Sequence, residues 1–307
     1  MTKKTKNLKH FALSAAIALT GLSASADVLL SDNFAYNVGD LYNQGGWVLN
    51  GKNTEAPIQV VAGSLTLPGY QDTPVGNMAA IAGNNSAKDQ ILQKQFSEDA
   101  IVSGKIYYSA LIKATEVGTG KSFVLAFSGK NFSGWGDGIS NGRYNSLAVT
   151  ASSEGKFKVG LAAATATATY GTTEYDINKT YLVVVGYDFA TKDISLWVNP
   201  TSTTATPEVL LAGKGSVSTT NGVQGVAISP ASSAANPASH VDIDAVRVAT
   251  DLADLLCTGE GGGDEPGPNP PAGDASISAS VSTLDFGATL PGNAVTKDFT
   301  NSATGLT

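Results

Sequence analysis

From Asp27 to Leu256 the chain is a succession of short apolar segments separated by turn signals, with no long stretch in which apolar residues recur at helical spacing. That pattern argues against a helical bundle and for stacked sheets. Eleven segments read as strands: Ala56 to Val61, Ser64 to Pro68, Gln90 to Phe96, Gly104 to Lys113, Ser122 to Ser128, Ser146 to Ala151, Phe157 to Ala162, Tyr181 to Asp188, Ile194 to Asn199, Gly222 to Ile228 and Val241 to Val248. Gly45-Gly46, Gly118-Thr119-Gly120 and Asn141-Gly142 are the clearest breaks, and Asp251 to Leu256 has room for a short helix. So many short strands in one region imply an all-β domain, a two-sheet antiparallel sandwich. The 34 glycines and a charged fraction of 15% favour turns and strands in the same way.

The segment Tyr181 to Pro200 shows the pattern at its clearest. Leu182 to Val185 is continuously apolar, as in a strand covered on both faces, and Phe189 to Lys192 forms a turn. Beyond the turn Ile194, Leu196 and Val198 point one way, and Ser195, Trp197 and Asn199 the other. This hairpin is read as the central pair of a sandwich sheet, with Trp197 as a wall residue.

The two ends of the chain are of different character. Lys3, Lys4, Lys6 and Lys9 precede an apolar run from Phe11 to Leu22 and the small residues Ala24-Ser25-Ala26. This is the pattern of a secretory signal peptide over residues 1–26, cut before Asp27. The run falls short of the about 20 residues that span a bilayer, so no transmembrane segment is expected. Residues 27–256 then form the β-sandwich. Residues 257–274, rich in Gly, Pro and acid, form a linker that has too few apolar groups to bury a core. Residues 275–307, with Ile277, Val281, Leu284, Phe286 and Phe299, begin a further β domain that is expected to continue beyond Thr307.

The formal net charge is −7, and loss of the four signal-peptide lysines takes it to about −11. Such a balance argues against nucleic acid or an anionic membrane as partner. A single cysteine, Cys257, forms no internal disulfide, so the exported fold depends on its core.

Several segments carry a family likeness. Asp32-Asn33-Phe34, Gly45-Gly46-Trp47, the run Gly63-Ser64-Leu65-Thr66-Leu67-Pro68-Gly69-Tyr70, the hairpin end Ser195-Leu196-Trp197-Val198-Asn199-Pro200 and the closing Ile243-Asp244-Ala245-Val246-Arg247-Val248 together resemble a concanavalin A-like, laminin G-like domain. The match is nearest to domains in exported modular proteins of Bacteroidetes and similar bacteria. Ser282-Thr283-Leu284-Asp285-Phe286-Gly287, followed by Phe299, resembles the start of an immunoglobulin-like repeat. The resemblance implies a jelly roll of two curved sheets, a fold that serves lectins, adhesion modules and glycosidases alike. No family motif transfers a defined binding or catalytic residue.

Candidate chemistry is sparse. After export one histidine remains, His240, so a Cys/His zinc site and Cys/His catalysis are nearly excluded, and a Ser-His-Asp triad would have to use His240. Glycoside hydrolysis needs only two carboxylates about 5 to 9.5 Å apart. Laminarinase-like relatives carry Glu-x-Asp-x-x-Glu along one strand; the nearest match here is Glu174-Tyr175-Asp176, with Lys179 in place of the third acid. Asp242 and Asp244 share a strand face, and with Asp32 they are candidates for a structural Ca²⁺ site, although a solvated face explains them as simply. No other cofactor is expected.

Ala164 to Thr169 alternates Ala and Thr, which places Thr165, Thr167 and Thr169 in one row; an edge strand with a solvated Thr face is the preferred reading. For ligand binding the candidates are Trp135, in the glycine-rich loop Asn131 to Gly138, with Arg143 and Tyr144 after it. A loop tryptophan can also cap the core, and Trp47 and Trp197 are read as structural. The expectation is a secreted or cell-surface, non-catalytic module binding a glycan or surface polymer within a larger protein. The alternatives are a laminarinase-like glycoside hydrolase and a passive spacer for a downstream enzyme domain, and the sequence leaves the oligomeric state open.

Overall fold

The computed structural model describes residues 28–50, 56–70, 76–82, 90–129, 143–163, 167–215, 217, 222–230, 239–257, 276–279 and 301–304. The expected signal peptide and the Trp135 loop lie outside these residues, as does nearly all of the expected linker. The chain divides into two compact units, residues 1–262 and 263–307.

The larger unit is an all-β sandwich of antiparallel sheets. One layer is a nine-stranded sheet built around Lys105–Glu116, which pairs with Thr180–Asp188 on one side and His240–Ala249 on the other. Ile194–Val198 and Val209–Leu211 extend it on the first side. Asn77–Ala82, Gln59–Ala62 and Gly39–Asp40 extend it on the second, while Val28–Asp32 runs beside the end of His240–Ala249.

The hairpin therefore has the strands, turn and alternation expected of it, but it is not the central pair. It sits toward one edge, because the longest strands, Lys105–Glu116 and His240–Ala249, share the most backbone and take the middle.

The facing layer consists of two five-stranded sheets. They meet where Ser122–Phe123 passes into Leu125–Ser128 and where Arg143–Tyr144 passes into Ser146–Ala151. At this seam Asn145 adopts φ 55° and the ladder breaks. The fully buried Tyr108, rising from the nine-stranded sheet, closes the gap. Its hydroxyl lies 3.1 Å from the Leu125 carbonyl and 2.8 Å from that of Asn145, and accepts from the Leu147 N–H at 3.2 Å. Backbone groups that the broken ladder leaves over are thus satisfied by one side chain from the other layer.

Between the layers lies the main core, which takes Ile106, Val183, Val185 and Leu196 from one side and Phe127, Leu147, Val159 and Val226 from the other. Leu182 and Val184 point the opposite way, into a second cluster on the outer face of the nine-stranded sheet, under Leu65, Tyr70, Leu252 and Leu255. The strand is therefore covered on both faces, as its unbroken apolar run requires.

Three sequence expectations change. Ser64 to Pro68 forms no strand; Leu65 is buried in the outer cluster and its N–H is taken by the Asp244 carboxylate at 2.9 Å rather than by a neighbouring strand. Asn77–Ala82, alanine-rich and without a strong strand signal, is a strand, and Ala79 is fully buried in it. The short helix at the end is a 3₁₀ turn, Leu252–Leu255, capped by Asp251 accepting from the Ala253 N–H. Of the alternating Ala/Thr run, residues 164–166 with Thr165 lie outside the described residues, while Thr167 and Thr169 are exposed and Thr169–Tyr170 is an edge strand.

In the smaller unit Ser276–Ala279 pairs antiparallel with Asn301–Thr304. Among the described residues no helix is long and apolar enough to cross a membrane.

Candidate functional site

The acids singled out from the sequence each take their own hydrogen-bond partners, although the charge of Asp32 still reaches Asp244 and helps to raise it. Asp32, 3% exposed, accepts hydrogen bonds from the Phe34 N–H (2.9 Å), Trp47 Nε1 (2.9 Å), the Tyr36 hydroxyl and Lys94 Nζ (2.7 Å). Asp242 pairs with Lys113 at 2.9 Å. Asp244, fully buried, accepts from the Leu65 and Ala245 amides at 2.9 and 2.7 Å. Burial pushes its carboxyl up to about 7 in spite of those two donors. Asp242 and Asp244 do share the outer face, but each carboxylate has its own partners. Among the described residues no group of three or more His, Cys, Asp or Glu side chains gathers as metal ligands do.

The laminarinase-like pair is also engaged. Asp176 is bound by Lys156 and by Lys179 at 2.8 Å, and these two hydrogen-bonded lysines hold its carboxyl down at about 2. Lys179, the residue standing where the third acid would be, neutralises the second. Glu174 accepts from the Ser153 hydroxyl at 3.1 Å. His240 faces Glu116 at 3.7 Å, on a strand end.

Of the three candidate ligand residues, Trp135 lies outside the described residues. Tyr144 is buried, with its ring in the main core. Arg143 pairs in register with Ser128, is 9% exposed, and donates to the Ser229 hydroxyl. The described part of that loop region is therefore packed rather than presented.

A groove of about 200 Å³ opens instead on the outer face of the nine-stranded sheet, beside the hairpin. Cross-strand register builds it, because Gly186 lies opposite Tyr107 on one neighbour and Ser195 on the other. Trp197, one alternation further along, shares that face. A Cβ at Gly186 would stand 2.7 Å from the Tyr107 ring and 3.2 Å from Trp197. Glycine is what lets both half-buried rings sink toward the backbone. Their centroids are 6.3 Å apart, inclined at 50°. Trp197 is anchored by Nε1 donating to the Ala205 carbonyl at 2.8 Å, which leaves the ring plane as its available surface.

The groove's rim is polar. Lys105 lies 3.4 Å from Asp188. The other oxygen of Asp188 caps the hairpin turn, accepting from the Ala190 and Thr191 amides at 2.8 and 3.2 Å. Burial pushes the Asp188 carboxyl up, but the two amides and Lys105 together outweigh it and hold it below the ordinary range. Asp193 Oδ1 accepts from the Gly213 N–H at 2.7 Å, while Asp193 Oδ2 and Ser195 Oγ have no hydrogen-bond partner among the described residues. Thr203 and Leu252 complete the lining.

Sequence reasoning assigned Trp197 to the correct face but not to a site, and it missed Tyr107, Gly186 and Asp193. The available signal was Gly186 interrupting an otherwise apolar strand, which marks a close approach of side chains.

No protein-family model matches the chain, and no curated protein matches it. Among solved structures, a sialidase is 13% identical with TM-score 0.38 over 72% of this chain, and this chain spans only 19% of it. A GH43 glycoside hydrolase is 9% identical with TM-score 0.43, covering 80% of this chain and 42% of its own. A carbohydrate esterase from the Shiga toxin-encoding bacteriophage phi24B is 13% identical with TM-score 0.43, covering 73% of this chain and 99% of its own. Likeness at this level transfers no site residue.

Proposed function

We propose that this chain is an exported, non-catalytic binding module whose concanavalin A-like or laminin G-like jelly roll holds a glycan at the groove of Tyr107 and Trp197. The observation that carries the reading is the pair of rings sunk over Gly186 beside a polar rim. A pyranose presents an apolar C–H face and a belt of hydroxyls. The rings match the first, and Asp193 Oδ2 and Ser195 Oγ match the second. Non-catalytic binding is favoured because Glu174 and Asp176 are held by Ser153, Lys156 and Lys179. Export, to the medium or the cell surface, follows from the basic and apolar N-terminal segment.

The test is retention of the purified protein on immobilised polysaccharides. Trp197→Ala is expected to abolish retention, and Trp197→Phe, which keeps a ring in place, to preserve part of it, with thermal melting run on each variant as a check of folding. Loss of retention in Trp135→Ala but not in Trp197→Ala would move the site to the glycine-rich loop. Release of reducing sugar from any bound polysaccharide would overturn the non-catalytic part.

A further inference from the structure

We infer that the groove is selective for non-acidic sugars and rejects glycans whose residues carry carboxylates, such as uronic and sialic acids; this rests on the binding reading above. Three charged side chains line the groove: Lys105 from the long central strand, Asp188 from the end of its partner, and Asp193 from just after the hairpin turn. The remaining lining is uncharged, so the formal balance is one negative charge. Asp251, capping the turn that carries Leu252, acts on Tyr107 with the same sign.

Lys105 does not offset this for an incoming anion, because Asp188 already engages it at 3.4 Å. Asp188 is fixed in turn by the Ala190 and Thr191 amides, so it cannot swing aside without uncapping the turn. Asp193 is held through Oδ1 by Gly213, and its other oxygen meets no donor among the described residues. An acceptor-only carboxylate is the natural counterpart of sugar hydroxyls, which donate, and a poor neighbour for a second carboxylate, which does not. A sugar acid in the groove would sit beside two fixed anions with the groove's one cation occupied. The wider surface, at about −11 after export, repels such polymers before they dock.

The inference is tested by affinity electrophoresis of the full chain in gels containing a mixed-linkage β-glucan or xylan, chitosan, or polygalacturonate or alginate. Retardation is expected in the non-acidic gels and not in the acidic ones. The double variant Asp188→Asn/Asp193→Asn keeps both Oδ1 acceptors and inverts the groove's charge, so binding to the acidic polymers should rise about tenfold. Its melting temperature serves as the control for folding. Trp197-dependent retardation of the wild type by acidic polymers, equal to that by neutral ones, would overturn the selectivity and leave glycan binding standing. A folded double variant that gains nothing toward acidic polymers would also overturn it, since charge would then not be what excludes them. Failure to bind any class of glycan would remove the binding reading and this inference together.

Discussion

Two places in this sandwich are assembled from the same residue types and behave in opposite ways. In one, Asp32, Lys94, Tyr36 and Trp47 meet between the layers, with Gly45 beneath Tyr36. In the other, Asp188, Lys105, Tyr107 and Trp197 meet on an outer face, with Gly186 beneath Tyr107. Trp47 is fully buried and its N–H goes to the aspartate; Trp197 is half-buried and its N–H goes to backbone. The first carboxylate is saturated by four donors, and the lysine lies 2.7 Å away. In the second the ion pair is 3.4 Å with its lysine exposed, and a neighbouring aspartate and serine have polar atoms without a partner among the described residues. The difference is one of satisfaction, not composition. Saturated polar groups hold a fold together, and unsatisfied ones beside half-buried rings leave hydrogen-bonding capacity at the surface.

The largest expected effect lies in the buried place. Asp32→Ala would strand Lys94 as an unpaired cation and leave the indole of Trp47 and the Phe34 amide without an acceptor. Breaking a buried pair from one side costs about 3–5 kcal/mol. Chemical denaturation should show that loss, and a cost below about 1 kcal/mol would mean the cluster is as loosely held as the groove.

Asp244 provides an intermediate case, a buried carboxylate whose donors include the Leu65 and Ala245 amides. Its folded pKa of about 7 lies above the unfolded value, so the native state keeps a proton that the unfolded chain has lost between about pH 4 and 7. Its contribution is fully present below pH 4, falls as pH rises through that window and is flat above it. The span is on the order of 2–4 kcal/mol. Denaturation of the wild type and of Asp244→Asn from pH 4.5 to 8 checks this; the difference between them should shrink or reverse as pH rises, and parallel curves would show that Asp244 stays ionised.

Much of the sandwich was legible because its strands are written in local alternation. Ile194, Leu196 and Val198 against Ser195 and Trp197 is a pattern any half-covered strand must show, and the turn at Phe189 to Lys192 follows from where it stops. Asn77–Ala82 escaped notice because alanine carries no strand preference and its placement is decided by neighbours far along the chain.

Two of the segments that carried the family likeness, Asp32-Asn33-Phe34 and Gly45-Gly46-Trp47, contribute to the saturated cluster, a framework feature rather than a site. Gly186 marks a close approach in the sequence, but what approaches it could not be read there, since the groove depends on Tyr107 standing opposite Gly186 across a sheet. Nothing local in either strand announces that register.

The two glycines offer the smallest and most discriminating contrast. A methyl group at Gly45 would lie 2.0 Å from a Tyr36 ring whose hydroxyl is bound to Asp32, and the backbone there has φ +54°. The ring cannot yield without loosening the cluster, so Gly45→Ala should destabilise by about 1–3 kcal/mol. At Gly186 the corresponding distance is 2.7 Å, but Tyr107 borders open groove and has somewhere to go. Gly186→Ala should therefore change stability by less than about 1 kcal/mol while lifting the rings apart, so that polysaccharide retention falls several-fold. A variant that keeps full retention would show that the ring pair over Gly186 is packing alone. One that loses as much stability as Gly45→Ala would show that the groove is as rigidly held as the buried cluster, and the contrast between the two places would fall with it.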